Sequence, residues 1–402
     1  MRLLKDSYFL AVALNHMAVD ILNSQKALLL VFLAPSLGFT NADIGLLALI
    51  YSGCGSLTQP LFGWLADRYQ ILWMSACSLL WLAVCYSLFI LLPGRWAIAG
   101  MLMGALGSAA FHASGTERAT SRGEILMIGR AATAASLFFL FGLAGHSLGP
   151  AIGGALLEKT GKHGLLIMAA VTVPVALNSF YRLYFLDRFS VPETREQLTR
   201  KSKAESGFRR GKWVLVAFAI LVLLRGVPQM TSMTFLPKLF QDRGYTPGSY
   251  GLMASVHMAG VALGGVAGGF LADRWGRRKT ILWTLLASTV PMYYYPVMTG
   301  NGLEAMVFLA GALIGASFSV LVVLSQELLP SRRALASGLT LGFMFASGSI
   351  GSYLFGLAAD IYPLASVMQI NSVLCVMAAL LTFTLKRDSK ATERVSPTKA
   401  VH

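Results

Sequence analysis

Apolar residues gather in twelve long runs, separated by short segments of charge, proline and glycine. The runs cover about 8–34, 41–66, 71–92, 96–118, 125–157, 163–186, 213–240, 247–272, 279–299, 303–328, 333–359 and 365–386. Roughly 20 apolar residues in a helix cross the hydrocarbon core of a bilayer. The pattern therefore predicts an all-α membrane protein with twelve transmembrane helices. The only long polar stretch before the tail is 187–212, which divides the chain into a six-helix bundle at 1–186 and a second at 213–386. That stretch reads as a cytoplasmic linker, and 387–402 reads as a disordered cytoplasmic tail.

A six-residue element repeats half a chain apart. Gly63-Trp64-Leu65-Ala66-Asp67-Arg68 closes the second run, and Gly269-Phe270-Leu271-Ala272-Asp273-Arg274 closes the eighth. The two bundles are thus expected to be pseudo-symmetric copies. Gly63 and Gly269 allow a neighbouring helix close approach. The acid and base that follow can pair, or cap an adjacent helix, in one conformation and release in another. The copies differ beyond this point: the second continues Trp275-Gly276-Arg277-Arg278-Lys279, the first Tyr69-Gln70-Ile71.

Composition supports a membrane setting. Hydrophobic residues make up 55% of the chain and charged residues 13%, about half the charge of an ordinary soluble domain. The net charge of +15 sits in the short loops on one side, which is the positive-inside bias and not a nucleic-acid surface. That bias places both termini in the cytoplasm of a bacterial cell, in its inner membrane. Cys54, Cys77, Cys85 and Cys375 lie inside apolar runs, without metal-ligand spacing, and a disulfide framework is not expected. Phosphate-binding loops, zinc spacing, nucleophile elbows and dinucleotide fingerprints are missing from the sequence. The reading is a non-enzyme without cofactor or metal, acting as a monomer among membrane lipids.

Polar residues at membrane depth are costly and mark function by default. His16 and Asp20 are four apart, so they share one face of the first helix; the pair is a candidate proton carrier. Asn23 continues that face, and Lys26 lies nearer its outer end. Arg225, midway along the seventh helix, is a candidate for an anionic solute or for a structural ion pair. His112 and His257 also sit at depth, as candidate substrate contacts. His146 falls in a Gly- and Ala-rich stretch, Gly142 to Gly154, where packing is the stronger reading. Phe138, Phe139, Phe141, Tyr293, Tyr294, Tyr295, Phe343 and Phe345 are candidate lining for an apolar cavity.

The paired Gly-x-Leu-Ala-Asp-Arg loops resemble the signature of the major facilitator superfamily of secondary transporters. Within it the chain resembles the fosmidomycin-resistance group of bacterial efflux proteins. That likeness rests on Asn15-His16-Met17-Ala18-Val19-Asp20, Gln59-Pro60-Leu61-Phe62-Gly63, Phe111-His112, Gln326-Glu327-Leu328-Leu329-Pro330 and Ser337-Gly338-Leu339. Ala113 and Ser114 follow His112 where the group has Pro-Glu, and Glu117, one turn on, is the candidate substitute. The resemblance implies two halves rocking about a midplane site. It also implies proton-coupled export of a small amphipathic or anionic compound. Gly63, Asp67, Arg68, Gly269, Asp273, Arg274, Arg277 and Glu327 are then expected to form the conformational latch. Proton-coupled uptake, or a non-transporting sensor derived from a transporter, are the alternatives that the sequence leaves open.

Overall fold

A computed structural model describes residues 3–69, 73–126, 131–186, 212–328 and 333–385. The linker from 187 to 211, the tail after 385, and Gln70 and Ile71 lie outside the described residues.

The described residues form twelve α-helices. They are α1 (Ser7–Leu37), α2 (Asn41–Tyr69), α3 (Met74–Leu91), α4 (Trp96–Leu126), α5 (Ala131–Thr160), α6 (Leu166–Tyr181), α7 (Lys212–Asp242), α8 (Pro247–Trp275), α9 (Arg277–Tyr294), α10 (Leu303–Leu328), α11 (Arg333–Ala359) and α12 (Leu364–Leu381). Eleven segments are long and apolar enough to cross a membrane. The exception is α9, whose 18 residues begin with Arg277, Arg278 and Lys279. Its apolar remainder is too short to qualify alone.

Local chemistry sets the ends. Asp6 caps α1 by accepting from the Phe9 N–H at 2.8 Å, and Gly38, at φ 66°, terminates it in the left-handed region that suits glycine. Thr246 caps α8 ahead of Pro247. The run expected to stop at Arg118 continues to Leu126. Arg122 explains the extension: its Nε and Nη2 donate to the two carboxylate oxygens of Asp6 at 3.0 and 2.7 Å, clamping the end of α4 to the start of α1. Burial pushes the Asp6 carboxyl up, but Arg122 and the Phe9 N–H outweigh it and hold the group below its ordinary value.

Glycines bring helices within each half close together. A Cβ at Gly145 would lie 2.3 Å from the Met17 carbonyl oxygen of α1. Likewise, Cβ atoms at Gly264 and Gly268 of α8 would overlap the Ala312 and Ala316 backbones of α10. The glycine stripe of α5 therefore seats α5 against α1 at Gly142, Gly145 and Gly149, and against α8 at Gly154.

The two halves, α1–α6 and α7–α12, are joined at the end opposite the termini. There Asp360 of α11's end accepts from the Asn41 and Ala42 N–H groups at 2.8 and 3.1 Å. Glu158 of α5 accepts from the Gly248 N–H at 2.8 Å and the Thr246 hydroxyl at 2.9 Å. Each carboxylate thus caps a helix of the other half. Gly45 meets Ser352, and Gly154 meets Pro247 and Gly251, at backbone contact. At the termini end the same helices part: Leu57, Leu61 and Leu339 are exposed, and Gly338 and Gly342 face open space. The molecule is closed at one end and open at the other.

Candidate functional site

Helix α1 is buried along much of its length and carries the polar centre of the first half. Asp20 is 4% exposed. Three imidazoles surround its carboxylate: His16 Nε2 at 3.2 Å, His146 Nδ1 at 3.2 Å and His112 Nε2 at 3.5 Å. They come from α1, α5 and α4, so only the fold brings them together. Asn23 donates to Asp20 Oδ1 at 3.1 Å and to the Ser108 hydroxyl at 2.9 Å, and accepts from the Tyr51 hydroxyl at 2.6 Å.

The outer ring nitrogens are already committed. His16 Nδ1 lies 2.8 Å from the Phe138 carbonyl, and His112 Nδ1 lies 2.8 Å from the Ser108 carbonyl. A carbonyl only accepts, so both Nδ1 atoms must donate. The Nε2 atoms that face Asp20 then either carry a second proton or present a lone pair to a carboxylate. Two lone pairs aimed at a buried anion repel it. A proton shared between the carboxylate and one of these Nε2 atoms removes that repulsion. Phe138 stacks on the His16 ring with centroids 4.0 Å apart, which holds that ring in place and keeps water from one face. Gly142 makes room for the pair: a Cβ there would lie 2.5 Å from the His16 ring and 2.6 Å from Asp20 Oδ2.

The positive centre of the second half is built differently. Arg225 on α7 is fully buried. It donates to Ser317 Oγ at 3.0 Å and to the Ile314 carbonyl at 2.7 Å, and also to Gln229 Oε1. Its guanidinium lies over the Phe318 ring, 5.2 Å from the centroid. Neutral acceptors and an aromatic face satisfy it, with no carboxylate among its described partners. It does not line the cavity between the halves.

That cavity is bounded by α1, α2, α4, α5, α7 and α8. Met101, Met230, Met233 and Met258 line it, together with Asn23, Tyr51, His146 and His257. Methionines and aliphatic side chains supply most of its apolar wall, a Met-rich surface as the sequence suggests, while the phenylalanines and tyrosines named from the sequence are not among its lining. Three cavity groups, Tyr51, Lys26 and His146, escaped the sequence reading of the site. Lys26 lies over the Tyr51 ring at 4.3 Å, and His146 is a partner of Asp20 rather than a packing residue. The signal for His146 was its place on the glycine stripe, which turns that face of α5 toward α1. Glu117, the expected substitute acid, bonds within its own helix to Ser121 and Arg118.

The latch residues lie at the open end. Arg68 packs over Trp64 and Tyr69 of its own helix, while Asp273 and Arg274 are exposed. Arg277 pairs with Glu327 inside the second half, tying α9 to α10. The side chain of Asp67 lies outside the described residues. Gly63 stands 4.0 Å (as a Cβ) from Ala113, and Gly269 faces open space.

Two bundles of six helices, closed at one end around a buried ionisable centre, are the architecture of a membrane transporter. The family model for the Major Facilitator Superfamily matches residues 8–232 and again 218–402, once per half, and the chain belongs to that superfamily. It is 27% identical over 386 residues to the fosmidomycin resistance protein of Escherichia coli (strain K12), covering 93% of this chain and 91% of that protein. Among solved structures, a bacterial homologue of the lysosomal transporter Spinster, inward-facing and occupied, superposes with TM-score 0.75 at 14% identity over 94% of this chain and 95% of that one. A D-xylose–proton symporter superposes with TM-score 0.72 at 17% identity over 96% and 98%. These structural likenesses concern the fold. The protein is a multi-pass membrane transporter of this superfamily and not an enzyme.

Proposed function

We propose that the chain exports a small amphipathic or anionic compound from the bacterial cytoplasm in exchange for protons. The observation that carries this reading is the Asp20 carboxylate, buried among His16, His112 and His146 with two imidazole Nδ1 atoms already donating. Such a cluster holds a proton and can give it up when its surroundings change. Asp20 and His16 carry the proton; Asn23, His112 and His257 contact the solute, and Arg225 contributes fixed positive charge to the second half. The lysine- and arginine-rich loops lie at the termini end, so the positive-inside bias makes the open end cytoplasmic. In the opposite state Asp67, Arg68, Asp273 and Arg274 draw that end shut, with Arg277 and Glu327 bracing the second copy. The name of the resistance protein that resembles this chain favours export. The transporter works as a monomer.

The test is solute-driven proton movement in liposomes containing the purified protein. Exchange acidifies the external medium when solute is added outside, because solute enters as protons leave. Alkalinisation would mean symport and uptake, and silence across a broad panel would mean a protein that moves nothing.

A further inference from the structure

We propose that Lys26 and His257 form the solute site, and that the solute is a compact apolar anion carrying a hydrogen-bond donor away from its charge. This deepens the transporter reading above and rests on it for its physiological meaning.

Lys26 lies on α1, six positions after Asp20, and lines the cavity between the halves. Its ammonium rests over the Tyr51 ring, 4.3 Å from the centroid. It has no carboxylate partner among the described residues, because Asp20 is ringed by imidazoles and Asn23. An ammonium carries three donors and no acceptor. Asp20 acts on this ammonium only at a distance, and at membrane depth a cation whose direct contact is an aromatic face gains from a closer counter-charge. An anion arriving in the cavity supplies it.

His257, on α8 of the other half, also lines the cavity and is 1% exposed. Its Nδ1 donates to the Val307 carbonyl at 3.3 Å. Among the described residues Nε2 is then left as a buried acceptor without a partner, which costs stability until a donor meets it. Ile44, Leu47, Met230, Met233 and Met258 contribute apolar surface to the same cavity. One half thus offers a positive charge, the other a lone pair, and the space between suits a hydrocarbon body. A solute that satisfies both spans the two halves, which is where a carrier needs its cargo to act. Tyr51, the platform for Lys26, is held by Asn23, and Asn23 by Asp20, so the solute site and the proton site share one bonded chain.

The experiment is equilibrium binding by calorimetry to the full chain in lipid nanodiscs, where no gradient exists and transport is not needed. The probes are two series: para-hydroxybenzoate, benzoate and para-hydroxybenzyl alcohol; and omega-hydroxyoctanoate, octanoate and octanol. The hydroxy acid should bind tightest in at least one series, and loss of either its charge or its hydroxyl should weaken binding roughly tenfold. Lys26→Gln should erase the preference for charge and keep the preference for hydroxyl, with Lys26→Arg restoring the former. His257→Phe should do the reverse, and His257→Gln, which keeps an acceptor, guards against a folding defect. Wild-type protein that ignores charge in both series, or Lys26→Gln that still prefers anions, overturns the proposal. The expected binding pattern without flux in liposomes would overturn the transporter reading alone. Flux together with Lys26-independent binding would overturn the solute site alone.

Discussion

Gly142 on α5 and Gly348 on α11 stand at the same half-chain offset as the two Gly-x-Leu-Ala-Asp-Arg elements, and each presses its helix against the first helix of its own half. What they press against differs. A Cβ on Gly142 would strike the His16 ring and Asp20; one on Gly348 would strike the Met230 side chain and the Gly226 carbonyl. One scaffold therefore carries a titratable cluster in the first half and an apolar contact in the second. The charge of the second half, Arg225, is displaced to a site of neutral acceptors. Duplication preserved the packing and let the chemistry diverge. The first half holds a group whose charge can change, and the second a charge that is fixed.

The sharpest way to break this comparison is Asp20→Asn. It keeps shape and removes the ionisable group, so solute-linked proton flux in liposomes should fall by roughly a hundredfold or more. Full retention would move the proton site elsewhere. Next come Gly142→Ala and Gly348→Ala. The first displaces His16 and Asp20 and should cut flux about tenfold. The second should leave proton coupling intact and lower the melting temperature through overpacking, at a cost of about 1–3 kcal/mol. Equal effects on flux would erase the functional asymmetry.

Asp67→Asn and Asp273→Asn probe the repeated loops. The second copy is braced by Arg277 and Glu327 and the first has no such basic run, so the two substitutions should slow transport to different degrees. Matching losses would make the latches equivalent. At the other end, Glu158→Gln and Asp360→Asn each remove a charged cap across the halves. Each should shift the balance toward opening there by roughly two- to fivefold, read by thiol labelling of an engineered cysteine near Gly154.

The smallest effect concerns the Asp6–Arg122 clamp, whose carboxyl lies just before the first span. The carboxyl is held below its ordinary value. Its contribution is therefore complete above the usual carboxylate range, near pH 4, and lost as pH falls through the lower folded value. Melting curves of the wild type and Asp6→Asn should converge in acid and separate toward neutral pH.

The fold was legible because spanning helices must be long and apolar, and because the repeat announced two halves. Within the site, His16 and Asp20 were legible from their four-residue spacing on one helix. His112 and His146 were not legible as partners of Asp20: their convergence depends on how α4 and α5 pack on α1, which no local pattern states. Lys26 was visible as a charge in an apolar run, yet its place in the cavity depends on the second half. The end of α4 was misplaced at Arg118 because a base there looked like a loop, whereas Arg122 serves a tertiary ion pair with Asp6.

Glu158 belongs to the first half and caps α8 of the second, while Asp360 belongs to the second and caps α2 of the first. The two fastenings run in opposite directions across one seam. A rigid separation of the halves at that end must break both, since each carboxylate is carried by the half opposite the helix it caps. Separation at that end is therefore cooperative, and half-unzipped intermediates should be too scarce to leak ions.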